Sequence, residues 1–395
     1  MTKLETLIRK LCSDGVVFVK LGDVLGYEQP TKYIVKCKEY QDRGLPVLTA
    51  GQTFILGYTD EQDGIFEASK ENPVVIFDDF TTSFHWVDFN FKVKSSAMKM
   101  LRVQSKKEVS FRFVYYAMKC IKYQTLEHSR QWISKYSQIE IPLPPIEVQA
   151  EIVRILDKFT SLEAELEAEL DCRKRQYEYY RDKLLSFENV GGQNVEWKKM
   201  SEVCEIKGRI GFRGYTRNDL VSKGEGAISM SPSNIVNGVL TFDDNTYLSW
   251  EKYEESPEIM AKVGNIVFTK TGSTVGKTAL IKKLPQECTI NPQLVLITCT
   301  YCNNRYLTHV MQDTRFQAQV RKFAGIGSVP NISQKALAGI LVPIPSEQER
   351  IANILDRFES LTTSLTAGLP AEIAARRQQY EHYRDKLLTF KRKSA

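Results

Sequence analysis

The chain has 395 residues, 26% of them charged and 42% hydrophobic, and a net charge of +6. That length exceeds one ordinary core and implies two or three domains, while the composition excludes disordered and collagen-like chains. No run of about 18 apolar residues is present to span a bilayer, and the N-terminal fifteen residues lack the apolar core of a secretory signal, so a cytoplasmic protein is expected.

A first module opens with Phe18-Val19-Lys20-Leu21-Gly22-Asp23-Val24 and runs to residue 146. Within it Pro73-Val74-Val75-Ile76-Phe77 reads as a buried strand, and a helical patch lies near Phe111 to Tyr123. Between them stands an aromatic loop in which Thr82, Ser83, His85 and Trp86 are candidate DNA contacts, since short hydroxyls donate to phosphates and aromatic rings can stack or wedge. The same loop reads equally well as partial core packing. Ile141-Pro142-Leu143-Pro144-Pro145 ends the module, because proline lacks the helical donor and restrains the residue before it.

Residues 147–188 form a long helical segment whose apolar positions include Ile152, Phe159, Tyr177, Tyr180 and Leu184, spaced by threes and fours along one stripe. It carries 7 basic residues against 11 acidic ones, so phosphate would repel it and a protein partner suits it better.

The second module, 189–346, carries 18 basic residues against 13 acidic ones, which fits backbone contact with nucleic acid. It opens with Trp197-Lys198-Lys199-Met200-Ser201-Glu202-Val203, the counterpart of the first opening with Ser201 in place of Gly22. Its densest basic run is Lys207, Arg209, Arg213 and Arg217, interleaved with Phe212 and Tyr215; a solvated face is the competing reading. Lys270, Thr271, Ser273 and Lys277 form a second candidate contact loop. Leu294-Val295-Leu296-Ile297 reads as a buried strand and Tyr306 to Lys322 as helical, before Val342-Pro343-Ile344-Pro345 ends the module. Residues 347–395 are again helical, with Ile351, Phe358, Tyr380, Tyr383 and Leu387 on the stripe.

The two helical segments are copies. Gln176 to Leu185 differs from Gln379 to Leu388 only at Tyr179 versus His382, and Ile152 to Phe159 matches Ile351 to Phe358 in pattern. Each stripe alone exposes too much apolar surface, so the economical arrangement packs the copies against one another as antiparallel helices with pseudo-twofold symmetry. From Phe159 to Tyr177 there are 18 steps and from Phe358 to Tyr380 there are 22, so the second copy holds four extra residues, about one helical turn. Gly368 and Pro370 sit there, and the second helix is expected to break or kink at 368–370.

Catalytic motifs fail on inspection. Gly272-Ser273-Thr274-Val275-Gly276-Lys277-Thr278 places three residues between its glycines where a P-loop needs four, with Thr271 where the first glycine belongs. Phe323-Ala324-Gly325-Ile326-Gly327 resembles the element with which amino-methyltransferases hold S-adenosylmethionine, but no Asn/Asp-Pro-Pro-aromatic tetrapeptide follows, and a glycine turn is the better reading. His85, His128, His309 and His382 show no metal-binding spacing, and of eight cysteines only Cys299 and Cys302 are close, so reduced thiols and no metal are expected.

The repeated Q-Y-E-x-Y-R-D-K-L-L segments, the proline exits followed by Glu147-Val148-Gln149 and Ser346-Glu347-Gln348, and Gly327-Ser328-Val329-Pro330-Asn331-Ile332-Ser333 resemble the specificity subunit of type I restriction-modification systems. That resemblance covers the whole chain and implies an α+β fold, in which two mixed α/β target recognition domains are separated by two long antiparallel helices forming a coiled-coil spacer. Residues 1–146 and 189–346 would each read one half of a bipartite, asymmetric target in double-stranded DNA. The helices would set the gap and dock two methyltransferase subunits, with restriction subunits joining them. S-adenosylmethionine, ATP and magnesium would belong to those partners, and this chain would be non-catalytic. An autonomous methyltransferase or nuclease, and a coiled-coil scaffold or adhesin, are the alternatives; the missing motif partners oppose the first, the basic modules and missing secretion signal the second.

Overall fold

The computed structural model describes residues 2–37, 39–51, 53–104, 108–123, 129–187, 195–211, 214–325, 329–363 and 368–393. Strands β1 (Val17–Lys20), β2 (Leu25–Glu28), β3 (Leu45–Leu48), β4 (Ile55–Thr59), β5 (Val74–Asp78), β6 (Phe84–Val87), β7 (Lys92–Val93), β8 (Met98–Val103) and β9 (Glu140–Leu143) come first. They are followed by β10 (Glu196–Lys199), β11 (Cys204–Gly208), β12 (Leu220–Val221), β13 (Gly226–Met230), β14 (Ile235–Val236), β15 (Val239–Leu240), β16 (Thr246–Ser249), β17 (Ile266–Thr269), β18 (Thr278–Leu280), β19 (Cys288–Ile290), β20 (Leu294–Cys299) and β21 (Leu341–Ile344). The helices are α1 (Lys3–Leu11), α2 (Leu21–Val24), α3 (Phe111–Lys119), α4 (Ile146–Leu184), α5 (Met200–Val203), α6 (Trp250–Glu254), α7 (Asn304–Gln312), α8 (Thr314–Ala324), α9 (Gln334–Ala338), α10 (Gln348–Thr363) and α11 (Leu369–Leu387).

Contacts group the chain into two units, Met1–Ala164 with Ala375–Ala395, and Glu165–Ala374. In the first, β5 sits at the centre of an antiparallel sheet ordered β2-β8-β5-β6; in the second, β17 holds the same place in β11-β20-β17-β18. A second sheet also follows one plan. β3 pairs antiparallel with β4 and parallel with β7, as β13 pairs antiparallel with β16 and parallel with β19.

Alternation along the central strands explains why this plan tolerates unlike sequences. In β5, Val75 and Phe77 enter one core with Val114, Ala117 and Met118 of α3, while Val74 and Ile76 enter another with Leu48 of the second sheet. In β20, Val295 and Ile297 pack with Tyr306, Leu307 and Val310 of α7, while Leu294 and Leu296 face the other way with Ile228 and Ile290. Side chains of successive strand residues point to opposite faces, so a strand covered on both sides reads as a continuous apolar run. That is the pattern of both runs recognised in the sequence.

The module openings and exits pair as short ribbons. Phe18 lies opposite Pro142 in β1–β9, and Trp197 opposite Pro343 in β10–β21. A two-stranded ribbon has free edges, which is where a proline can sit without breaking a ladder. Next, Leu21 N–H donates to Ile139 O and Met200 N–H to Ile340 O, both at 2.9 Å. The Tyr306–Lys322 patch is two helices rather than one: Asp313 ends α7 and caps α8, its side chain accepting from the Arg315 N–H at 2.8 Å.

α4 runs 39 residues without glycine or proline, stabilised on its exposed faces by Arg173–Glu169 at 2.8 Å and Arg175–Asp171 at 3.1 Å. In the first unit its Phe159 stacks on Tyr383 of α11, centroids 5.5 Å apart; in the second its Tyr180 stacks on Phe358 of α10 at 5.6 Å. Each pair joins the early aromatic of one copy to the late aromatic of the other, which is antiparallel packing of the repeat. α10 ends at Thr363 and α11 begins at Leu369, with Pro370 in its first turn. A Cβ at Gly368 would stand 2.7 Å from Ser360 O and 2.9 Å from Leu361 O, so the close pass there requires glycine. Among the described residues no helix is long and apolar enough to cross a membrane.

Lys92, 1% exposed, pairs with Glu61 at 2.7 Å and donates to Asp63 O, tying β7 to the loop after β4. The Lys92 ammonium, with the backbone N–H groups of Cys37 and Lys36, lowers the Glu61 pKa to about 2. A depressed carboxyl stabilises the fold above its unfolded pKa and loses that contribution as pH falls through the folded one. Acid titration of unfolding should therefore show stability falling from about pH 4.5 to about pH 2, and Glu61→Gln should flatten that slope; an unchanged slope would remove Glu61 from the account.

Candidate nucleic-acid interface

Each module is seated on its helices by one set of bonds. Ser110 caps α3, and its N–H donates to Gln149 Oε1 at 2.9 Å; Asn303 caps α7, and its N–H donates to Gln348 Oε1 at 2.8 Å. About two turns further along α4 and α10, Arg112 and Tyr116 of α3 reach Asp157 at 2.9 and 2.5 Å, while Arg305 and His309 of α7 reach Asp356, both at 2.8 Å. Burial raises the Asp356 carboxyl, but His309 and Arg305 outweigh it and hold the pKa below its ordinary value.

The late motif of the opposite copy closes each seat. In the second unit Tyr177 bonds His309 Nδ1 at 2.9 Å, and Asp182 accepts from the Thr314 hydroxyl at 2.5 Å. In the first, the Cys120 thiol donates to Asp385 at 3.6 Å, and burial lifts the Tyr380 pKa to about 12. Ile152 lies in the core with Leu4, Phe113 and Leu388, and Leu387 packs against it; Leu184 packs against the core holding Ile351. The helix residues singled out from the sequence are thus mostly packing residues, with Tyr180 and Tyr383 still 37% and 38% exposed.

The candidate contact residues sort by exposure. Thr82 occupies the tip of the β5–β6 hairpin at φ 60°, buried, its N–H donating to Asp78 O at 3.0 Å and its hydroxyl to Thr81 O at 2.7 Å. Asp78 accepts from the Phe80 and Thr81 N–H groups, so this turn is built from its own hydroxyls and carboxylate. Ser83 shares a 2.7 Å hydrogen bond with Thr81. The His85 ring stacks on Phe54, and burial lowers its pKa, so it is neutral at pH 7 and Nε2 carries the proton donated to Gly51 O at 3.0 Å. Trp86 lies between Phe111, Tyr115 and the Arg112 guanidinium, with centroid distances of 5.0, 5.5 and 4.6 Å. Thr82 thus shapes a turn, and half-buried Trp86 packs beside α3.

In the second module Arg209 also lies inward. It is buried beside Tyr215, donates to Ile290 O and Thr289 Oγ1 at 3.3 Å, and burial lowers its pKa. Lys207 pairs with Glu205 at 2.9 Å on the exposed edge of β11. Arg217 is exposed in a short turn capped by Thr216. Phe212 and Arg213 lie outside the described residues, as do His128 and the Ile326 to Ser328 part of two quoted motifs.

The β17–β18 hairpin brings Lys270, Thr271 and Gly272 against Pro330 to Ile332. Gly272 N–H donates to Pro330 O at 2.9 Å, the Thr271 hydroxyl to Asn331 Oδ1 at 2.6 Å, and Ile332 N–H to Lys270 O at 2.9 Å. The segment quoted from the sequence as Val329-Pro330-Asn331-Ile332-Ser333 is thus the clip that holds the loop. Ser273 is exposed at its tip, Val329 is 62% exposed beside it, and exposed Lys277 anchors its ammonium on Ile235 O at 3.1 Å. Gly276 does not offer its N–H as a P-loop glycine would, since that N–H donates to Thr269 O at 2.9 Å, and a Cβ there would meet Gln317 Oε1 at 2.2 Å.

All eight cysteines are free, and among the described residues no cluster of three His, Cys, Asp or Glu could hold a metal ion. Cys302 sits just ahead of α7, its thiol directed at Val203 O at 3.7 Å.

Arg209→Ala should lower the melting temperature by several degrees through the buried carbonyl and hydroxyl left without their donor. Arg217→Ala should leave melting unchanged and, if it contacts phosphate, reduce the slope of log affinity against log salt by about one. The reverse pattern in paired melting and salt titrations would contradict this division.

Comparison with known proteins finds a family model, the type I restriction modification DNA specificity domain, matching twice, over residues 13–171 and 193–375. The chain is 40% identical over 404 residues to the EcoR124I/EcoR124II type I restriction enzyme specificity subunit of Escherichia coli, covering 99% of this chain and 98% of that one. A putative type I restriction enzyme specificity subunit of Haemophilus influenzae is 28% identical, covering 99% and 100%. Among solved structures, the type I restriction-modification S subunit from M. genitalium aligns with a TM-score of 0.55 at 13% identity, covering 95% and 96%. A chain from a study of assembly and conformational transition of the type I R-M system gives 0.57 at 15%, covering 95% and 97%.

Proposed function

The chain belongs to the family of type I restriction-modification DNA specificity subunits, and on that premise we propose how its two units divide the work. Each recognition module, 1–146 and 189–346, reads one half of a bipartite, asymmetric DNA target, and the repeated helices set the gap. The observation that carries this reading is the shared framework: two modules of unlike sequence with one sheet order and one seat. Unlike modules on like frames recognise unlike half-sites, so the target need not be a palindrome.

In the same reading, the exposed faces of α4, α10 and α11 dock two methyltransferase subunits, and restriction subunits assemble with them. S-adenosylmethionine, ATP and magnesium act in those partners, and this chain selects the site without catalysing. Lys270, Thr271, Ser273 and Lys277 in one module, and Ser83 and His85 in the other, remain the proposed contacts at phosphates or base edges, with Lys207, Arg213 and Arg217 supplying charge.

Replacing residues 189–346 by another module should change one half of the recognised sequence, and four residues added near Leu166, about one helical turn, should change the gap. Mapping methylated adenines in a host carrying the chain with its methyltransferase checks both. A swap that changes both halves would sink independent readout, and an unchanged gap would sink the spacer.

A further inference from the structure

α3 and α7 have little in common as sequences, Phe111–Lys119 reading FRFVYYAMK and Asn304–Gln312 reading NRYLTHVMQ. Yet Arg112 and Arg305 hold the same position in them, as do Tyr116 and His309 four residues later. Both pairs close on an aspartate at one position of the helical repeat, Asp157 in α4 and Asp356 in α10. Two chemically different rings have been fitted to one acceptor, which marks the acceptor as the fixed point. Packing alone would accept any apolar pair there.

The directional content of this seat is high. A guanidinium and a ring donor converging on one carboxylate fix the rotation of α3 or α7 about the helix beneath, where apolar contacts permit sliding. The Gln149 and Gln348 bonds at the caps of α3 and α7 set position along that helix. In the second unit His309 is 1% exposed and is held from both sides, by Asp356 and by Tyr177, so three helices share one bonded chain.

We propose that Asp157 and Asp356 are positioning residues for DNA recognition: clamped by Arg112 with Tyr116 and by Arg305 with His309, they fix the angle of each module on its helices and so hold the gap between half-sites to one value. This rests on the bipartite reading above. Base choice belongs to the outward loops and is independent of the clamp. A module that rocks on its seat would reach a half-site displaced by one base pair while reading the same bases.

The test maps methylated adenines genome-wide in hosts carrying the full chain with its methyltransferase, for wild type, Asp356→Asn, Tyr116→Phe, His309→Leu and His309→Tyr. Tyr116→Phe removes one hydroxyl and keeps the ring, so it tests the idea should Asp356→Asn fail to fold. The expected result is unchanged half-site bases, with methylation at gaps one base pair longer or shorter rising about fivefold or more over wild type, a coupling of ordinary size for a bonded network. His309→Tyr, which copies the first unit, should keep the wild-type gap where His309→Leu relaxes it. If Tyr116→Phe and the other folded variants methylate only the wild-type gap at whatever level, or if the recognised bases change, the clamp is not a positioning device. A wild-type map without two half-sites would instead overturn the bipartite reading itself.

Discussion

An amphipathic helix cannot cover its own apolar stripe, and the rest of this molecule follows from how two copies of one such helix solve that problem together. The early half of each copy and the late half of the other lie in the same unit. Phe159 therefore meets Tyr383, and Phe358 meets Tyr180, in two pairs of nearly equal spacing. Each module then rests on two surfaces of different origin: the helix that follows it in sequence, through Asp157 or Asp356, and the late motif of the other copy, through Asp385 or Asp182. The near identity of the Q-Y-E-x-Y-R-D-K-L-L segments reflects this shared duty. Tyr177 and Asp182 are engaged with the second module, and their counterparts Tyr380 and Asp385 with the first.

The repeat, the proline exits and the pairing of the openings were legible because each is written in residue identity: prolines, aromatics and a ten-residue match. The two central strands were legible as apolar runs. The common sheet order was not, because strand burial constrains only which face a residue serves; Val75 and Val295 need no likeness beyond being apolar. The seat was missed for a related reason. Arg112 and Arg305 stand in helices with almost nothing else in common, and their partners lie 45 and 51 residues away. The signal was present in the repeat as Asp157 and Asp356, charged residues flanked by leucine and a cation on a stripe otherwise apolar.

Contact candidates were the least legible. Composition singles out arginine, tryptophan and threonine without saying which way they face; Arg209 and Thr82 are buried and Trp86 half-buried. A buried arginine that satisfies carbonyls and a surface arginine that meets phosphate use the same donors, so residue type alone cannot separate them. Separation comes from the turn before β6 and from the exit of β11, where Thr82 bonds Thr81 O and Arg209 reaches Ile290 O.

The seam between the ends of the chain has its own consequence. Val16 N–H donates to Lys391 O and Lys393 N–H to Val16 O, both at 2.9 Å, and a Cβ on Gly15 would collide with the same backbone. The first unit is thus discontinuous, completed only by residues from 375 onward, whereas the second is one unbroken stretch. The unit that is begun first in sequence is therefore the one whose last residues come later. The core that α3 shares with Leu4 and Ile152 is complete only with Leu388, and Leu387 and Tyr380 pack against it. A chain stopped just after Ala374 would carry the second unit whole and the first with Leu4, Phe113 and Ile152 lacking the cover of Leu388.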